Sequence, residues 1–112
     1  MSKIYLTELV ESLEQLADRE FQKRSWLAEH GPVISSFSEQ VSQAFDDTGL
    51  SHAIDNGSLE MEVGADAARA LGELDKAISK VDDELPPKEL LDHVSMQRVR
   101  YLAQCALQKL HA

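Results

Sequence analysis

The chain has 112 residues, 28% of them charged, and carries a formal net charge of −9. That length supports one domain with one core, and the 43% hydrophobic content is enough to fill it. The surplus negative charge repels nucleic-acid phosphates and anionic membrane surfaces, which argues against both as partners and favours a basic protein.

The charge is concentrated in the middle of the chain. Residues 33–75 hold a single base, Arg69, against nine acids, whereas the flanking segments are nearly balanced. A single cysteine, Cys105, excludes an internal disulfide and fits a reducing compartment. The first residues are interrupted by acids from Glu8 onward, so they lack the apolar run of a signal peptide, and no stretch reaches transmembrane length. A cytoplasmic protein is expected.

In chain order, the spacing predicts a first helix over 7–29. Leu9, Leu13 and Leu16 recur on one stripe, with Val10, Ala17 and Phe21 on an adjoining row. Thr7 suits the N-cap, and Glu8 and Glu11 suit the positive end of the helix dipole. Gly31-Pro32 ends the segment. A second helix is predicted from Ser36 to Gly49. Ser36-Phe37-Ser38-Glu39 reads as a capping box, and Phe37, Val41, Ala44 and Phe45 form its inner face.

Residues 50–63 admit two readings. Asn56-Gly57 is a strong hairpin signal, and a two-residue turn there would pair Ile54 with Leu59, His52 with Met61 and Leu50 with Val63 on one face. The alternative is a short helix over 47–55 followed by a loop. The helical reading is favoured, because a lone hairpin needs something to pack on. A third long helix is predicted over 65–84, with Ala67, Leu71, Leu74, Ile78 and Val81 inward, stopped by Leu85-Pro86-Pro87. A short helix over 88–92 follows, with Pro87 in its first turn. The last helix is predicted over 95–110, with Val99, Leu102, Ala103, Ala106, Leu107 and Leu110 inward. The expected fold is all-α: one compact bundle of four to five helices over residues 1–112, with a small hairpin at 50–63 as the alternative.

Catalytic and metal-binding signatures are missing from the sequence. The histidines, His30, His52, His93 and His111, show no ligand spacing, and no HExxH, CxxC or EF-hand pattern occurs. Asp46, Asp47, His52 and Asp55 are the one concentration of metal donors, and they are better read as solvated acids around a cap and turn. A metal-dependent enzyme built on them is the least favoured reading. No GxSxG elbow or phosphate-cradling glycine loop is present, and Cys105 lies in an apolar stretch that suits an inert thiol. No cofactor is expected.

Trp26 with Arg19, Lys23 and Arg24 is the one basic-aromatic group. It reads either as a contact patch or, more favoured, as an aromatic closing one end of the bundle while the bases pair with nearby acids. The acids Asp46, Asp47, Asp55, Glu60, Glu62 and Asp66 are the candidate partner-binding residues, together with Trp26. Gathered on one surface, they would steer a basic protein and pair with its Arg and Lys.

Three stretches carry a resemblance: Trp26 before the Gly31-Pro32 break, Phe45-Asp46-Asp47-Thr48-Gly49-Leu50, and Pro86-Pro87-Lys88-Glu89-Leu90-Leu91-Asp92 before the final helix. With these, the chain resembles a group of small helical bacterial proteins, which are similar in size and acidity to immunity proteins of bacterial toxin systems. The resemblance implies an inhibitor that binds and blocks a basic toxin. The chain lacks the Tyr-Tyr-Pro motif of the nuclease-colicin immunity proteins, so no binding residue carries over from them. The functional expectation is a non-catalytic protein-binding module, monomeric or homodimeric, with a structural or regulatory homo-oligomer as the alternative.

Overall fold

A computed structural model describes residues 4–27 and 36–111. Eight helices occur among them: α1 (Leu6–Leu16), α2 (Arg19–Leu27), α3 (Phe37–Phe45), α4 (Leu50–Asn56), α5 (Leu59–Val63), α6 (Ala65–Ser79), α7 (Pro87–Asp92) and α8 (Val94–His111). The all-α expectation holds, and the count exceeds the four to five suggested by periodicity. Local caps divide segments that the apolar spacing reads as continuous.

The helix predicted over 7–29 breaks at Ala17-Asp18. The Phe21 amide donates to Asp18 Oδ1 at 3.0 Å, so Asp18 starts a new helix by satisfying one of its unpaired amides. The break also changes the inner face. Leu9, Leu13 and Leu16 are fully buried on α1, but α2 turns Gln22, Ser25 and Trp26 inward, while Val10, Ala17 and Phe21 stay half-buried. The predicted stop at Gly31-Pro32 lies outside the described residues.

Ser36 caps α3 as predicted, its Oγ accepting the Glu39 amide at 3.2 Å. Phe37, Ala44 and Phe45 are buried, and Gln40 joins them. The helix ends before Gly49, because Thr48 Oγ1 donates to the Ala44 carbonyl and Gly49 turns left-handed at φ 84°.

The hairpin alternative at 50–63 is overturned. Asn56-Gly57 does make a left-handed turn, with Gly57 at φ 76°, but the turn is the C-cap of α4. Positive φ is required by a hairpin turn and by a helix C-cap alike, so the dipeptide alone does not separate them. The loop expected after the short helix is itself helical, since Asn56 Oδ1 accepts the Ser58 amide and α5 begins at Leu59. The residues expected on one face of the hairpin are correspondingly dispersed: Leu50 is buried while Met61 is 91% exposed.

Of the predicted stripe, Ala67, Leu71 and Leu74 are buried on α6 together with Ala77, while Ile78 and Val81 are half-buried. The helix ends at Ser79 rather than 84. There Ser79 Oγ donates to the Lys76 carbonyl at 2.7 Å, and the Asp82 carboxylate accepts the Glu84 amide to form a turn. α7 begins on Pro87, whose fixed φ suits a first helical turn. α8 carries Met96, Val99, Ala103 and Ala106 into the core.

α8 lies along α6 and α1, α1 also packs on α3, α2 packs on α7, and α5 packs on α6. Their apolar faces meet in one cluster of leucine, alanine, Phe37, Phe45, Trp26, Met96 and Val99. Each fully buried leucine contributes about 1.5–3 kcal/mol of transfer free energy. The radius of gyration is 13.8 Å, against about 13 Å for a domain of this length. No helix among the described residues is long and apolar enough to cross a membrane.

Candidate partner-binding surface

The acid-rich middle of the chain folds into the end of α3, the turn at 46–49, α4, α5 and the first turn of α6. These elements are short because their interruptions are strong: a left-handed Gly49, a left-handed Gly57, and Gly64 at φ 91° before α6. A short helix buries little. α4 contributes Leu50 and Ala53 to the core, and α5 contributes Leu59. Val63 packs half-buried against the core, and Glu60, Met61 and Glu62 are exposed, so the acids of α5 reach solvent.

All six predicted carboxylates, Asp46, Asp47, Asp55, Glu60, Glu62 and Asp66, are exposed. They lie on a contiguous run of elements, since α3 contacts α4, α4 contacts α5 and α5 contacts α6. The start of the chain closes this run from outside. The Ile4 amide donates to Glu62 Oε1 at 3.0 Å, and the Tyr5 amide donates to the Thr48 carbonyl at 2.9 Å. The segment Ile4-Tyr5 thereby bridges the 46–49 turn and α5, with Thr48 on one side and Glu62 on the other.

The carboxylates are not equivalent. Glu62 also accepts from Ser58 Oγ at 3.0 Å, so it holds the N-terminal segment and the α4–α5 connection together. Asp46 accepts from Ser42 Oγ at 3.3 Å at the end of α3. Asp66 sits in the first turn of α6, where the helix dipole favours an anion.

Large apolar side chains are exposed within the same region. Met61, between Glu60 and Glu62, is 91% exposed, and Tyr5 and Leu6 at the bridging segment are 56% and 49% exposed. The acids alone draw attention in the sequence, and these three residues escape it. The local signal for Met61 is its place between two acids on a helix too short to bury it.

Trp26 does not belong to this surface. It is 3% exposed and meets Phe37 edge to face, with ring centroids 6.2 Å apart at 84°. It is a core aromatic, as the favoured reading of the basic-aromatic group has it, and its burial removes it from the candidate partner-contact residues. Its neighbour Arg19 pairs with Asp92 at 2.6 Å and Glu20 at 3.5 Å, while Asp18 serves as the α2 cap.

Among the described residues no three His, Cys, Asp or Glu side chains converge as a metal-ligand set, so the Asp46–Asp47–His52–Asp55 neighbourhood forms none. Cys105 is half-buried on α8. The surface therefore offers carboxylates and apolar tips: groups that accept hydrogen bonds from Arg and Lys and cover apolar contact area. Comparison with protein-family models, curated proteins and solved structures finds no match for this chain.

Proposed function

We propose that the chain is a non-catalytic protein-binding module that presents the α3–α6 acidic surface to a basic protein, with Met61 as its apolar contact. The observation that carries this reading is Met61, 91% exposed between two exposed glutamates. An apolar anchor surrounded by charge is the arrangement of a binding patch, in which the anchor supplies contact area and the rim supplies steering. Net charge of one sign over residues 33–75 adds long-range attraction for a cationic partner. In its sharper form, supported by the resemblance to immunity proteins, the module inhibits its partner by covering a basic functional surface.

The test is selective capture from an extract of the native host. Asp47→Lys, Asp55→Lys and Glu60→Lys are combined in one variant, and Glu11→Lys, Glu14→Lys and Glu89→Lys in another. Both change the net charge equally, and all six positions are exposed. A basic protein is expected to bind the unaltered chain and the second variant but not the first, with binding weakened by added salt. Equal capture by both variants, or capture insensitive to salt, would reject the surface.

A further inference from the structure

Arg100 is the one charged side chain among the buried described residues, at 8% exposure. Burying a guanidinium costs several kcal/mol unless a counter-charge compensates it. Its direct partners are neutral: Nη1 donates to Gln22 Oε1 and Nη2 to the Leu91 carbonyl, both at 2.9 Å. The nearest acid is committed elsewhere. Asp92 Oδ1 accepts from Arg19 Nη2 at 2.6 Å and from Arg19 Nε at 3.1 Å, and among the described residues no ion pair reaches Arg100. Burial lowers the Arg100 pKa from its usual value, neighbouring Arg19 lowers it further, and Asp92 opposes them.

Arg100 lines an open depression of about 410 Å³, whose polar walls are Arg19, Asp92, Gln97, Tyr101 and Gln104. The α8 residues of this set fall at i, i+3, i+4 and i+7, so helical spacing places them along one stripe. The depression thus combines two guanidinium groups, two amides and a phenol against one carboxylate, which Arg19 already engages. Asp92 would repel an anion in part, as would Glu20, which pairs with Arg19 from outside the depression at 3.5 Å; the lining residues themselves carry two positive charges against one negative.

We propose that this depression is a binding site for a small oxyanion, whose charge compensates Arg100. The site is independent of the acidic surface and uses α8, α7 and the α1–α2 junction. Arg100 and Arg19 supply charge-assisted donors, and the Gln97 and Gln104 amides and the Tyr101 hydroxyl supply neutral ones. Arg100 is held before the anion arrives, because Gln22 and the Leu91 carbonyl fix it.

Thermal unfolding and amide NMR of the full chain in inorganic phosphate test the site, with acetate as a carboxylate probe and chloride at equal ionic strength as the control. Saturable shifts are expected at Gln97, Arg100, Tyr101 and Gln104, and a phosphate concentration ten times Kd shifts the folding equilibrium about tenfold. Saturation by phosphate or acetate supports the site, and the tighter of the two identifies the head group. Gln104→Glu places a carboxylate on the wall of the depression. It is expected to raise the unfolding temperature and abolish the phosphate effect. Phosphate acting no differently from chloride overturns the proposal, as does a phosphate effect that persists undiminished in Gln104→Glu.

Discussion

Gln22 is fully buried and uses both ends of its amide. Its Nε2 donates to the Leu16 carbonyl at 2.7 Å, closing the end of α1, and its Oε1 accepts from Arg100. One side chain therefore ties α1, α2 and α8 together. Gln22→Met, similar in volume but without polar atoms, leaves the Leu16 carbonyl and an Arg100 donor unpaired in the core. The expected cost is about 2–3 kcal/mol, read as a lower urea midpoint at unchanged m-value. An unchanged midpoint would show that the network contributes nothing. At this scale the sequence is only partly legible. Leucines at helical spacing announce their burial, but Gln22 and Arg100 have the composition of a surface, and only the break before α2 turns Gln22 inward. Trp26 has the opposite ambiguity, since a large aromatic among bases suits both an anchor and a core plug until Phe37 is seen against it.

Helix type was legible where apolar spacing ran long, and helix ends were legible where a cap had a familiar form. The stripes of α6 and α8, the Ser36 cap and Pro87 at the start of α7 all match. Thr7 does not cap α1, which starts at Leu6 after Tyr5 with no side-chain cap; two further failures share one cause, that a polar residue inside a helical pattern has two meanings. Asp18 reads as an exposed acid on a continuous helix, and it is the cap of α2. Asn56-Gly57 reads as a hairpin turn, and it closes α4. Asp18→Ala removes the acceptor for the Phe21 amide and is expected to cost about 1 kcal/mol. Hydrogen exchange at that amide is expected to accelerate, while Asp18→Asn, which keeps an acceptor, largely preserves protection. Equal protection in Asp18→Ala and the unaltered chain would remove the capping explanation.

At the scale of the whole molecule, the aliphatic stripes converge on one core, and the acids of the middle segment remain outside. The composition made that division legible, because a chain with few aromatics and many carboxylates can only bury its leucines and alanines and solvate the rest. The sequence did not reveal the bridge made by Ile4 and Tyr5, since hydrogen bonds from residues 4 and 5 to residues 62 and 48 depend on tertiary closure and leave no local pattern. Nor did it reveal Met61 as the apolar tip, which follows from the shortness of α5. Met61 and Val94 are both strongly exposed apolar residues, at 91% and 71%, but only Met61 lies among the acids. A photo-crosslinking amino acid placed at position 61 or at position 94 therefore discriminates directly. In extracts of the native host, covalent adducts with a basic protein are expected from position 61 and not from position 94. Adducts formed equally at both positions, or at position 94 alone, would contradict the assignment of the acidic face as the binding surface.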